Sequence, residues 1–325
     1  MKNNRLRIDT VRASRDGHEF HEAWAARKAL QLVMPTDELV GIAVEGLAPA
    51  DQTKASAETV EIADLVLYYG AAPTFDWANT VVMVQAKYSI SLESVPFRAS
   101  DGKKTIRKFA AAFRSYKKAH GAKAVEKKLA FELITNRPIY DQLTKAINGI
   151  ATGIPLKGDA KRQAAQFTSA SGLKGNELTQ FAIKLRVTGL SGTLKQNKQD
   201  LSRVLADWSV APDAMARARL GNMRQMLRDK AGLAGQGQNV ITRTDVLDAL
   251  ELQGPEDLFP CPASFPDVGK IVQREQLLSV VSRIPQLSKP LMIHADGGAG
   301  KTVFLQSVAK VLSETHETVL FDCFG

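Results

Sequence analysis

The sequence predicts an α/β fold with a mixed sheet flanked by helices, on three observations. An Ala- and Leu-rich helical stretch precedes three segments rich in Val, Ile and Tyr. A strongly amphipathic helical stretch follows them. Another β-rich segment comes directly after that helix, so the order over residues 1–140 is α-β-β-β-α-β.

Taken in order, residues 17–33 (GHEFHEAWAARKALQLV) predict the first helix, stopped by Pro35. Leu39–Glu45, Val60–Tyr69 and Thr80–Ile90 predict strands. In TIRKFAAAFRSYKKA, Ile106, Phe109, Phe113 and Tyr116 fall on one helical stripe, so that face meets a core and the Lys/Arg face looks outward. Leu129–Ile134 predicts the next strand, ending in Thr135-Asn136-Arg137-Pro138. From about 139 to 250 the patterns are helical (DLSRVLADW, MARARLGNMRQMLRDKAG, TRTDVLDALEL), with Thr242 or Thr244 as a cap for the last. No strand is predicted there. Residues 141–252 therefore read as a helical connector without chemistry of its own. GPEDLFPCPASFPDVG, with four prolines, marks a linker at 253–270. Residues 271–325 then predict a helix (Arg274–Ile284), a strand (Pro290–His294), a Gly-rich loop, a helix (Lys301–Glu314) and a strand (Thr318–Asp322), the truncated start of a β-α-β module.

At 325 residues the chain has room for two or three domains, and 44% apolar with 24% charged residues is an ordinary globular balance. This composition excludes a disordered acidic tail, a collagen-like repeat and a disulfide scaffold. No apolar run approaches the ~18–20 residues of a membrane span. The basic start has no apolar stretch behind it, so no signal peptide is predicted. Cys261 and Cys323 lack CxxC spacing. The expectation is a soluble cytoplasmic protein with no membrane partner. Lys and Arg (43) exceed Asp and Glu (34), giving a net charge of +9. Residues 98–128 hold eleven basic and two acidic residues, a surplus equal to that of the whole chain. So concentrated a charge favours a polyanionic partner, nucleic acid first.

Strand alternation brings chemistry-bearing residues together. Gln85 and Lys87 share one face of their strand, and if the two strands pair, Asp64 lies opposite Gln85-Ala86-Lys87. An Asp within an apolar strand is costly unless paired or metal-bound. A carboxylate and an amide oxygen suit a hard divalent cation, and a lysine offsets charge developing on phosphorus. Glu45 can add a second carboxylate. The competing reading is a structural Asp64–Lys87 salt bridge.

This order of helix, strand-Glu, strand-Asp, strand-QxK and helix resembles the PD-(D/E)xK nuclease superfamily. Its Gln variant is similar to the Mrr-type and CBASS-associated double-strand DNA endonucleases of bacterial defence. GHEFHEAWAAR, VEGL, EIADLVLYYG, VQAKYS and ITNRP carry the likeness. It implies a restriction-endonuclease-like sheet over residues 1–140. It also implies Mg²⁺ or Mn²⁺ held by Asp64, Gln85, the Ala86 carbonyl and Glu45, with Lys87 as the catalytic lysine. The polar residue of the first helix maps to His21 or Glu22, with His21 preferred because it lies nearer the Phe20/Trp24 stripe. Lys103, Lys104, Arg107 and Lys108 would hold DNA phosphates.

A second motif, ADGGAGKT, follows the Pro290–His294 run and opens a helix, which is the Walker A layout. Asp296, Gly297, Gly298, Ala299 and Gly300 would cradle phosphates, Lys301 would reach the β/γ-phosphates, and Thr302 would hold Mg²⁺. With VQRE ahead of it, this stretch resembles the start of a STAND-type NTPase. Only 23 residues follow Thr302. The resemblance therefore implies a fragment or truncated form of a longer defence protein. That protein would bind ATP with Mg²⁺ in its complete NTPase and form a homo-oligomer when activated. It would sense a phage-derived trigger through a missing C-terminal region. The expected function is a Mg²⁺-dependent endonuclease that cleaves double-stranded DNA by phosphodiester hydrolysis, as the effector of an antiphage STAND NTPase. The alternatives are a catalytically inactive DNA-binding or ATP-switch regulator with a degenerate nuclease fold, and an ATP-driven switch whose N-terminal domain only mediates protein contacts.

Overall fold

A computed structural model of the chain describes residues 2–34, 38–52, 63–189, 194–209, 211–232, 237–254, 257–258, 274–318 and 320. It divides into two units, Met1–Phe259 and Pro260–Gly325.

In the first unit, α1 (Lys2–Ala29) runs into a 3-10 turn (Leu30–Val33), a longer helix than residues 17–33 predict. Then come β1 (Leu39–Val44), the single turn α2 (Pro49–Gln52), β2 (Leu65–Gly70), β3 (Ala78–Lys87), α3 (Lys103–His120), α4 (Ala122–Lys128) and β4 (Leu129–Thr135). Gly121, at φ 83°, breaks the basic helix into α3 and α4. The chain continues through α5 (Asp141–Thr152), α6 (Gly158–Ser171), α7 (Gly175–Lys184), β5 (Leu185–Gly189), α8 (Leu194–Ser209), α9 (Asp213–Ala231), β6 (Val240–Ile241) and α10 (Arg243–Ala249).

The six strands form one mixed sheet in the order β5-β4-β3-β2-β1-β6. β1 pairs antiparallel with β2 and β6, and β2 antiparallel with β3, whereas β3–β4 and β4–β5 are parallel. The α3–α4 pair makes the connection that parallel β3 and β4 require. β5 and β6 lie in the segment predicted to be strandless, which corrects that expectation. β6 pairs over only two residues. β5 is a five-residue edge strand whose Arg186 is exposed, so neither carries a long apolar run.

Alternation along β3 puts Val81 and Met83 on one face of the sheet and Val84 and Ala86 on the other. The first face packs on α3, whose Ile106, Phe109, Phe113 and Tyr116 are all buried as the stripe predicts. The Phe131 ring of β4 lies 5.0 Å from Phe109 and 6.4 Å from Phe113. The second face is covered by Phe20 and Trp24 of α1 and by α8 and α9 through Leu201, Leu205, Leu220, Met223 and Leu227. Each such side chain contributes about 1.5–3 kcal/mol on burial. Thr242 caps α10 and shares a reciprocal capping box with Asp245.

In the second unit, α11 (Gln276–Arg283) runs into a 3-10 turn, and α12 (Lys301–Leu312) starts at the lysine of the Gly-rich loop. Residues 290–294 form no strand, a departure from the expected β-α-β start. The predicted strand Thr318–Asp322 falls largely outside the described residues, as do most of the 253–270 linker, Cys261 and Cys323. Among the described residues no helix is long and apolar enough to cross a membrane.

Candidate functional site

The ends of β1, β2 and β3 meet the middle of α1, and there the structure gathers the residues singled out on those strands. The β2–β3 register pairs Leu65 with Val84, so Asp64, one residue earlier, stands opposite Gln85. The Asp64 carboxylate accepts the Ala86 N–H at 2.8 Å and the Gln85 side-chain amide. His21 of α1 places Nδ1 3.7 Å from Asp64 Oδ2, and its ring also hydrogen-bonds the Ala86 backbone. Burial holds the His21 imidazole below its ordinary pKa. Asp64 opposes that shift, while His18 and Lys87 reinforce it.

Glu45 follows β1 with φ 49°, an uncommon conformation for a residue with a side chain. Its N–H donates to the Asp64 carbonyl at 2.8 Å. Desolvation, then the negative charge of Asp64, raise the Glu45 carboxyl above its ordinary value, and His18 works the other way. Two carboxylates that repel each other stand beside the Gln85 amide, which turns its nitrogen to Asp64, and the Ala86 carbonyl. These residues fit a hard divalent cation, because a cation between Glu45 and Asp64 would relieve their repulsion. A cavity of about 500 Å³ opens over this cluster, lined by His18, His21, Glu45 and Asp64 and closed on one side by Leu227 and Arg228 of α9.

Of the two candidates on α1, His21 faces Asp64. Glu22 turns to α9 and is bound there by Arg224 and Arg228. Lys103, Lys104, Arg107 and Lys108 lie on the first two turns of α3, all solvent-exposed. Further along the helix, two of the cations are engaged locally. Arg114 pairs with Glu177 at 2.9 Å, and Lys117 donates to Gln180 at 2.7 Å. Lys118, Lys123 and Lys127 are exposed too, so the surplus extends back from α4 to the start of α3. There Asp101 is bound to Arg137 at 2.9 Å and offsets little of it.

In the second unit, Gly298 and Gly300 have φ of 76° and 80°, a backbone that glycine adopts readily. Lys301 Nζ donates to the carbonyls of Ala295 (2.7 Å) and Asp296 (2.8 Å), so the lysine folds back over its own loop. Gly297, Ala299 and Thr302 lie on the same loop and the first turn of α12.

No protein-family model matches the chain, and no curated protein matches it. Solved structures similar to it include a Cap4 SAVED/CARF-domain containing receptor of Acinetobacter baumannii. It is 14% identical with a TM-score of 0.41, and the match covers 72% of this chain and 46% of that one. The same receptor with the cyclic trinucleotide 3′3′3′-cAAA matches with the same score over 44% of its length. A Cap4 receptor of Moraxella osloensis matches at 15% identity, again with a TM-score of 0.41. The chain thus spans less than half the length of these receptors.

Their descriptions are of receptors, in one case with a cyclic trinucleotide, and not of a PD-(D/E)xK nuclease fused to a STAND NTPase. The expected family is corrected accordingly. The expected role as double-strand DNA endonuclease and effector of an antiphage STAND NTPase falls with it, as does the alternative of a degenerate nuclease acting as a DNA-binding or ATP-switch regulator. At a TM-score of 0.41 the likeness gives this chain no ligand of its own.

Proposed function

We propose that the sheet end of the first unit is a divalent-cation-dependent hydrolytic site for phosphodiester bonds. The observation that carries this reading is the placement of Asp64 opposite Gln85, beside an open cavity that Asp64 and Glu45 line. Asp64, Glu45, the Gln85 amide oxygen and the Ala86 carbonyl are the residues that would hold Mg²⁺ or Mn²⁺. Such a cation, when bound, polarises a phosphoryl oxygen and lowers the pKa of bound water. The chain itself supplies the rest. Lys87 offsets negative charge as it develops on the phosphoryl oxygens. The β2–β3 register and the Ala86 N–H fix the orientation of the Asp64 carboxylate. The exposed cations at the start of α3 suit a polyanionic substrate.

The test is hydrolysis by the full chain of bis(p-nitrophenyl) phosphate and of linear and cyclic oligonucleotides, with Mg²⁺ or Mn²⁺ and with chelator. Turnover that needs the metal and disappears in Asp64→Ala and Lys87→Ala supports the reading. Absence of turnover across the panel overturns it.

A second reading concerns the other unit. We propose that residues 296–302 bind the phosphates of ATP, on the strength of the two left-handed glycines and the helix that starts at Lys301. Fluorescent ATP-analogue binding that is lost in Lys301→Ala supports it. Equal binding by the variant sinks it.

A further inference from the structure

The segment that reads as a connector without chemistry brings an arginine to the mouth of the cavity. On α9, Arg224 and Arg228 lie one helical turn apart and both bind Glu22 of α1. Arg228 donates from Nε to Oε1 at 2.7 Å and from Nη2 to Oε2 at 2.9 Å. Arg224 donates from Nη2 to Oε2 at 2.9 Å. The two arginines are not equivalent. The Arg224 side chain is 21% exposed and lines no part of the cavity, whereas that of Arg228 is 49% exposed and lines the same cavity as Asp64 and Glu45.

One carboxylate between two guanidinium groups leaves the cluster with a positive charge. The bonds from Arg228 to Glu22 use Nε and Nη2, which leaves the Nη1 edge for another acceptor. Burial works to raise the Glu22 carboxyl, but the hydrogen bonds from Arg228 and Arg224 outweigh it and hold Glu22 below its ordinary value. The carboxylate thus stays charged and keeps the fork of Arg228 oriented. A planar, fixed guanidinium beside an anionic cavity floor is suited to a phosphate.

We propose that Arg228 binds a substrate phosphate neighbouring the one that sits over Asp64, with Glu22 as its positioning residue. This rests on the phosphodiester reading of the same cavity. It further implies that the substrate carries more than one phosphate.

The test is fluorescence anisotropy of a short fluorescein-labelled oligonucleotide with the full chain, in Ca²⁺ so that binding is read without turnover. Arg228→Ala is expected to weaken binding about tenfold, the loss of one charged hydrogen bond, and to reduce the salt slope by about one. Arg228→Lys should retain part of the affinity, and Arg224→Ala should bind like the wild type.

Wild-type affinity in Arg228→Ala overturns the proposal. So does an equal loss in Arg224→Ala, which would make the pair a packing device between α1 and α9. A wild-type chain that does not bind the oligonucleotide overturns it too. Arg228-dependent binding without hydrolysis of any substrate defeats the hydrolytic reading and leaves the phosphate site standing.

Discussion

Tyr68→Phe removes one oxygen from the inside of the first unit, and its cost can be worked out from the bonds that oxygen makes. Tyr68 is fully buried on β2. Its hydroxyl donates to Asp51 Oδ2 at 2.9 Å and accepts the Ala48 N–H at 3.1 Å. Asp51 is itself buried and also receives the Phe75 N–H at 3.0 Å. A hydrogen bond to a charged acceptor contributes about 1.5–3 kcal/mol, and a buried donor left without a partner costs about 1–3 kcal/mol. Some of that penalty is recovered by local relaxation, so about 3 kcal/mol is expected. With a urea m-value of about 3 kcal/mol/M, the midpoint should fall by about 1 M with m unchanged. Equilibrium urea unfolding followed by circular dichroism measures it. A loss below about 1 kcal/mol would mean that the hydroxyl is not the tie between the Ala48–Asp51 turn and the sheet.

Three further outcomes are expected. Burial raises the Asp51 carboxyl above its ordinary value against the hydrogen bonds from Phe75 and Tyr68. Its contribution to stability is therefore fully present below the unfolded carboxylate pKa and is lost as pH rises through the folded one. Urea midpoints at stepped pH should show that decline in the wild type and a flatter profile in Asp51→Asn. Gly70 has φ 120°, and a Cβ there would lie 2.7 Å from the backbone nitrogen of Asn79, so Gly70→Ala should lose about 1–3 kcal/mol in the same assay. Unchanged stability would contradict that geometry. Lys104→Glu with Arg107→Glu should weaken oligonucleotide binding and its salt dependence without moving the thermal midpoint, because both side chains are exposed. Unaltered binding would remove the start of α3 from the polyanion surface.

What the sequence made legible is what its periodicities encode. Strands β1 to β4 carry enough Val, Ile and Leu to announce themselves, and the α3 stripe is spaced for a helix. Alternation puts Gln85 and Lys87 on one face of β3, but the register that sets Asp64 against Gln85 comes from the fold. The Phe20/Trp24 stripe of α1 favours His21 over Glu22 as the residue nearer the sheet, and the fold supplies the arginines of α9 that hold Glu22. Less was legible where pairing depends on distant partners. β6 offers two residues to β1, and nothing local in Val240–Ile241 distinguishes it from a loop. The place of Arg228 at the cavity follows from how α9 packs on α1, and its ladder of Met, Leu and Arg reads equally well as a plain connector. Asp51 looks like an ordinary turn residue in PADQ; only the fold supplies Tyr68 and Phe75 to bury it.

The pairing of β6 with β1 sets an order of events during synthesis. Asn239 donates its side-chain amide to the carbonyls of Val44 (2.9 Å) and Leu47 (3.1 Å), and its own carbonyl accepts the Val44 N–H at 2.9 Å. The backbone on either side of Glu45 is thus completed by residues nearly two hundred positions later in the chain. While the ribosome is still making that stretch, the N-terminal strands can pair among themselves, but the end of β1 has no partner on its outer edge. Closing so long a loop is entropically costly and belongs to the late, slow part of folding. The end of the sheet that carries Glu45 and Asp64 is therefore finished only after the first unit has almost wholly emerged, and a chain cut off at residue 140 would expose β1 as a bare edge open to association.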